Sequence, residues 1–308
     1  MEKNYKQWKN IHYSWDDIDH FKEYGGLFPG VHTVTFQDGS LSVDFICNKH
    51  VLSARGRVLP VFLTGAISDR QKKQGPFFTG LGITNELEIP MISISDPSVD
   101  TDAELNLAWY AGGLSNRVTD SIIELLEVIS ETLEAELLFI GGSGGGFAAL
   151  QLSRTFKDNC SVFVWNPQTD IYEYSERHVK LYLRSQFNFA HSSLARDDWK
   201  QFCKIRTGKW IQSSVLDADT LRAPRRLVYL QNTTDWHKDK HLLPLWISSC
   251  NKELSNGENY LDENHLVYVH DLASGHNPPS AEIIKRVVDS LVNPGVQVNR
   301  IDLNASNT

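Results

Sequence analysis

Residues 137–150 read LLFIGGSGGGFAAL. Four apolar residues, Leu137 to Ile140, run straight into a glycine-rich turn. Phe147, Ala148, Ala149 and Leu150 then open a helix-forming stretch. Within the turn, Gly141-Gly142-Ser143-Gly144-Gly145 matches G-x-S-x-G between a strand and a helix. A serine on so sharp a turn needs small neighbours on both sides. The helix behind it aims free N–H groups and a positive dipole end at the serine. Ser143 is therefore the candidate nucleophile. The competing reading is a glycine-rich turn that packs a helix closely or cradles a phosphate. It lacks the G-K-[ST] of a P-loop, and it fits the dinucleotide fingerprint only loosely.

Working outward, short apolar strands alternate with helical periods. HTVTF (32–36) and LSVDFIC (41–47) flank a turn at Asp38-Gly39 and predict a hairpin. VLPVFLT (58–64) and PMISIS (90–95) predict two more strands, ending at Gly65 and at Asp96-Pro97. Ile122, Leu125, Leu126, Ile129 and Leu133 recur at helical spacing, with Thr119 and Asp120 as the start signal. SVFVW (161–165), RLVYL (226–230) and LVYVH (266–270) predict further strands, and 280–292 a closing amphipathic helix. This alternation predicts an α/β protein with a mostly parallel central sheet and helices on both faces. The interval 171–221 breaks the rhythm with aromatic, helical segments and reads as a cap inserted over the sheet edge. The resulting division is an N-terminal segment with a β-hairpin (1–57), a core (58–292) and a polar, frayed C-terminal tail (293–308).

A serine needs a base, and the base an orienting acid. In this arrangement the chain order is serine, acid, histidine, each just past a strand. Gln231-Asn232-Thr233-Thr234-Asp235 follows one strand, and Asp271-Leu272-Ala273-Ser274-Gly275-His276 follows the next. Asp235 and His276 thus fall at the same sheet edge as Ser143, where open α/β sheets build their sites. Asp170, one strand earlier, is the alternative acid. His237 and His241 precede the last strand, with His237 a candidate substrate contact. His270 sits less favourably than His276. The oxyanion donors expected are the N–H groups of Gly144 and, after the 58–64 strand, Ala66. Arg70, Lys72 and Lys73 form either a solvated charge run or a clamp for an anionic substrate, with Arg70 the candidate contact.

The 308 residues carry 30 Lys and Arg against 38 Asp and Glu, a net charge of −8. That balance argues against a nucleic-acid-binding surface. The four cysteines are scattered, which argues against a thiolate metal site or a disulfide framework. No stretch is long and apolar enough to span a bilayer, and no apolar segment follows MEKNYKQWKN as a secretory signal would require. A cytoplasmic protein with no bound metal or cofactor is the expectation.

FIGGSGGGFAAL, VWNPQTDI, YLQNTTD and HDLASGH together resemble the α/β-hydrolase-fold serine enzymes over about 58–292. SISDPS (93–98) and LAWYAG (107–112) resemble a bacterial branch within them. That branch holds capsule and surface-polysaccharide O-acetyltransferases and the acetyltransferase-like component of accessory Sec systems. The chain departs from many lipases and esterases in carrying Thr64-Gly65 where they have His-Gly. The resemblance implies a Ser143–His276–Asp235 triad and an acyl-enzyme. It further implies acetyl-CoA as acyl donor and a glycan or polysaccharide as acceptor. A carboxylesterase or glycan deacetylase would share every one of these residues. A catalytically silent binding or export component is the third reading.

Overall fold

A computed structural model describes residues 2–24, 26–250 and 252–303. The predicted strands form, and they assemble with others into one sheet. In chain order they are β1 (His12–Trp15), β2 (Gly30–Phe36), β3 (Leu41–Cys47), β4 (Val58–Leu63), β5 (Ile92–Ile94), β6 (Glu136–Gly142), β7 (Cys160–Trp165), β8 (Arg226–Asn232), β9 (Gly257–Asp262) and β10 (His265–His270). Their order across the sheet is β1-β2-β3-β5-β4-β6-β7-β8-β10-β9. From β5 to β10 every neighbouring pair is parallel. The β2–β3 hairpin and the β3–β5 and β9–β10 pairs are antiparallel.

The central strands are apolar throughout because both faces are covered. Successive side chains alternate between the faces. Leu137 and Phe139 of β6 enter one core with α3 (Val118–Leu133) and α4 (Ser143–Phe156). Leu138 and Ile140 enter a second core with α9 (Ala281–Leu291). On α3 the buried Ile122, Leu125, Leu126, Ile129 and Leu133 form the stripe that its spacing predicts. Its cap is Arg117, with no side-chain bond. Thr119 instead donates its hydroxyl to the Tyr110 carbonyl.

Two expectations need correction. Residues 171–221 do hold helices, α5 (Glu176–Phe187), α6 (His191–Leu194) and α7 (Trp199–Thr207). Yet Tyr172, Val179, Tyr182 and Cys203 are buried in the same core as α3 and α4, so most of this segment's aromatic side chains pack inward. Residues 1–57 hold the expected hairpin, β2–β3, and join β1 to β3 to the common sheet. Residues 295–303 are not frayed: Val298, Ile301 and Leu303 are buried in the α9 core. The end of that tail, 304–308, lies outside the described residues.

Candidate active site

Ser143 is the first residue of α4 and follows β6 directly. Its φ is +54°, a left-handed conformation that costs a non-glycine residue free energy and tends to mark functional turns. The elbow is crowded. A Cβ on Gly145 would come 2.3 Å from the Leu63 carbonyl oxygen, and one on Gly141 would come 2.5 Å from the Gly145 backbone. The two glycines of G-x-S-x-G thus allow α4 to start against β4 and β6.

The Ser143 hydroxyl meets His276 Nε2 at 2.9 Å. His276 Nδ1 meets Asp235 Oδ2 at 2.6 Å. Asp235 is buried, and its Oδ1 accepts the His237 N–H at 3.0 Å. Burial alone would raise this carboxyl. The hydrogen bonds from His276 and the His237 backbone overcome it and hold Asp235 below the ordinary aspartate range. The carboxylate is therefore ionised and fixes the His276 tautomer that presents a free Nε2 to Ser143.

The loop holding His276 is pinned from below. Asn232 Nδ2 donates to the carbonyls of Gly275 and Asn277, each at 2.8 Å. Asn166 Nδ2 donates to the Asn277 carbonyl, and Asn166 Oδ1 accepts the Asn232 N–H. Gly275 turns with φ +57° and donates its N–H to Thr234 Oγ1.

Asp170, the alternative acid, serves elsewhere. It caps the Tyr172 N–H at 2.9 Å and pairs with Lys204 at 2.9 Å. His237 is fully buried and does not face a substrate. Its Nδ1–H donates to the Asn166 carbonyl at 3.0 Å, and its ring packs 4.0 Å from that of His276. Burial first, then the nearby His276, lowers it to about 4, so it is a neutral wall behind the base. Arg70 is also buried. It donates to the Val99 and Lys73 carbonyls and lies over the Phe77 ring, a structural role rather than a substrate clamp. Asp235, His237 and His276 do bring ligand-type atoms within 4.8 Å of one another. Of these contacts, His276 Nδ1 is hydrogen-bonded to Asp235 Oδ2, and His237 Nδ1 is turned to the Asn166 carbonyl.

Ser143 and His276 open into a cavity of about 320 Å³, lined also by Thr64, Gly65, Ala66, Trp165 and Tyr174. The 64–67 loop is held on either side of Ala66. Thr64 donates its N–H to the Tyr110 hydroxyl at 2.6 Å, and Ile67 donates to the Asn106 carbonyl at 2.8 Å. Gly144, the second residue of α4, has an N–H with no acceptor inside the helix. A larger cavity, about 540 Å³, lies between α3, α4 and 210–223. It contains none of the three residues and mixes Arg117, Arg154 and Lys157 with Asp120, Asp217 and Asp219.

Sequence reasoning missed Asn166, Asn232, Gln168, Trp109 and Tyr110. Gln168 Nε2 donates to Ser143 Oγ at 3.0 Å, and its Oε1 accepts from Trp109 Nε1. Trp109 and Tyr110 both have positive φ, and the Tyr110 N–H is held by Asp96 at 2.7 Å. Trp109 and Tyr110 lie in LAWYAG, Asn166 and Gln168 in VWNPQTDI and Asn232 in YLQNTTD, and the resemblance carried by those segments was the signal available.

No family model and no curated protein sequence matches the chain. Solved structures do. A Glycosylation Associate Protein complex from Streptococcus agalactiae superposes with TM-score 0.57 at 13% identity, covering 90% of this chain and 49% of that one. This chain thus spans about half the length of that relative. A variant of the capsule O-acetyltransferase of Neisseria meningitidis serogroup A, in complex with CoA, gives 0.57 at 12% identity, covering 87% and 97%. Carboxyl esterase 2 of Tuber melanosporum gives 0.50 at 10%, covering 86% and 85%. The chain has the α/β-hydrolase fold, and the resemblance read from its motifs holds at that level.

Proposed function

We propose that this protein is a serine acyltransferase that moves an acetyl group from an acyl-CoA onto a hydroxyl of a bacterial surface glycan. The observation that carries the enzymatic reading is the unbroken hydrogen-bond chain from Ser143 through His276 to Asp235. In the first step Ser143 Oγ attacks the thioester carbon and its proton passes to His276 Nε2. The carbonyl π pair moves onto oxygen, which the Gly144 and Ala66 N–H groups stabilise. Collapse expels the thiolate, which takes the proton from His276. In the second step a sugar hydroxyl, deprotonated by His276, attacks the acyl-enzyme. The C–Oγ bond breaks, and Ser143 recovers its proton.

The transferase reading is supported by the similarity to the capsule O-acetyltransferase and its complex with CoA. An aromatic wall supports the glycan. Tyr174 lines the cavity, and Trp236, 45% exposed, stacks on it at 5.9 Å with the planes 19° apart. Such faces suit the C–H surfaces of sugar rings. The test is release of free CoA thiol from acetyl-CoA with and without capsular glycans. Acceptor-dependent release, lost in Ser143→Ala, is expected. Ser143-dependent hydrolysis of small esters, with no acceptor-dependent CoA release, would make the protein an esterase or deacetylase instead.

A further inference from the structure

We infer that Gln168 is a fourth catalytic group, donating a hydrogen bond to Ser143 Oγ as that oxygen gains and loses its bond to the acyl group. The inference rests on Ser143 being the nucleophile. Gln168 lies three residues beyond β7, in the loop that faces the elbow, and is fully buried. Its backbone N–H donates to the Ser143 carbonyl at 3.2 Å, which ties the two loops together. Its amide nitrogen stands 3.0 Å from Ser143 Oγ.

Trp109 fixes which way the amide points. An indole N–H can only donate. Trp109 Nε1 meets Gln168 Oε1, so the oxygen end is committed and the NH2 end must face Ser143. The indole itself is buried, on a residue with φ +57° beside the Tyr110 N–H bond to Asp96. The donor is therefore preorganised by a relay running from Asp96 through residues 109–110.

This geometry has two chemical consequences. First, Ser143 Oγ accepts from Gln168, so its own proton has a single outlet, His276 Nε2. The hydroxyl is oriented for transfer to the base before substrate arrives. Second, when the acyl-enzyme breaks down, the electron pair of the C–Oγ bond returns to Oγ as the proton comes from His276. Charge gathers on Oγ in that transition state, and a buried donor held in place stabilises it without reorganisation. Microscopic reversibility gives the same contact in the forward attack. The donors at Gly144 and Ala66 serve the carbonyl oxygen, so Gln168 is distinct from the oxyanion hole.

The test uses a fluorophosphonate, with time-resolved intact mass as the readout. Ser143 Oγ forms a bond to phosphorus, fluoride leaves, and the serine proton passes to His276. Gln168→Met removes the donor but also leaves the Trp109 N–H unpaired. Gln168→Glu keeps an acceptor for Trp109 and separates the two effects. Both variants should label about 10- to 100-fold more slowly than wild type at neutral pH. The ratio of Gln168→Glu to wild type should climb as pH falls, because a protonated carboxyl regains a donor. A structural defect would not give that pH-dependent rescue. Folded variants that label at the wild-type rate, or a Gln168→Glu ratio that stays flat with pH, would overturn the inference alone. Wild type that fails to label would overturn the nucleophile assignment, and this inference with it.

Discussion

At the scale of single residues, the site separates two aspartates that sequence order left in competition. Asp235 holds His276 Nδ1 at 2.6 Å, whereas Asp170 is engaged with Lys204 and the Tyr172 N–H. Asp235→Asn should therefore reduce turnover by about 10³- to 10⁴-fold, because the amide favours the wrong imidazole tautomer and cannot stabilise the imidazolium. Asp170→Asn should leave turnover near wild type. Steady-state rates on a small activated ester measure both, and the reverse ranking would move the acid to Asp170. His276 and Asp235 were legible because each follows a buried strand within a few residues. Gln168 was not. Its partners, Trp109 and Ser143, are 59 and 25 residues away, and no local pattern records such a contact. Arg70 misled for a related reason. It sits in a run with Lys72 and Lys73, yet it turns inward to carbonyl oxygens that only the folded chain supplies.

At the scale of elements, what could be read is what has a period and an end. The β2–β3 hairpin, β4, β6 with α4, β7, β8, β10 and α9 all combine apolar spacing with Gly, Pro, Asp or Asn at a boundary. Elements on the margins do not. His12–Trp15 is largely exposed and becomes a strand only by pairing in parallel with β2. Gly257–Asp262, the opposite edge, is polar on its outer positions and depends on β10. In 295–303, three apolar residues, Val298, Ile301 and Leu303, fill a gap beside α9 and leave no recognisable period. The 171–221 segment has a helical pattern and holds α5, α6 and α7. How far its aromatic residues pack inward was not legible, because their burial depends on the α3–α4 face they cover. Tyr174 alone among its residues lines the Ser143 cavity.

At the scale of the whole molecule, both cores hold the sheet rigid and leave the strands' C-terminal edge to carry the chemistry. No helix among the described residues is long and apolar enough to cross a membrane. The fold buries His32, His237 and His241, and burial lowers them to about 4, 4 and 3. In the unfolded chain each titrates near 6.5, so between pH 6.5 and 4 the unfolded state binds more protons. Acid then destabilises the fold by up to about 2 kcal/mol per ring at pH 5. Asp96 works the other way. Burial lifts it to about 6, so it takes up a proton in the folded state first and offsets about 1 kcal/mol at pH 5. The histidines win, and the urea midpoint should fall from pH 7 to pH 5. An unchanged or higher midpoint at pH 5 would contradict their burial as neutral rings. The central claim is that Ser143 is an activated nucleophile at the head of α4. Intact-protein mass spectrometry after fluorophosphonate treatment tests it most directly. The account predicts one adduct on wild type and none on Ser143→Ala. A folded wild-type protein that takes up no adduct, or an adduct that persists in Ser143→Ala, would contradict it.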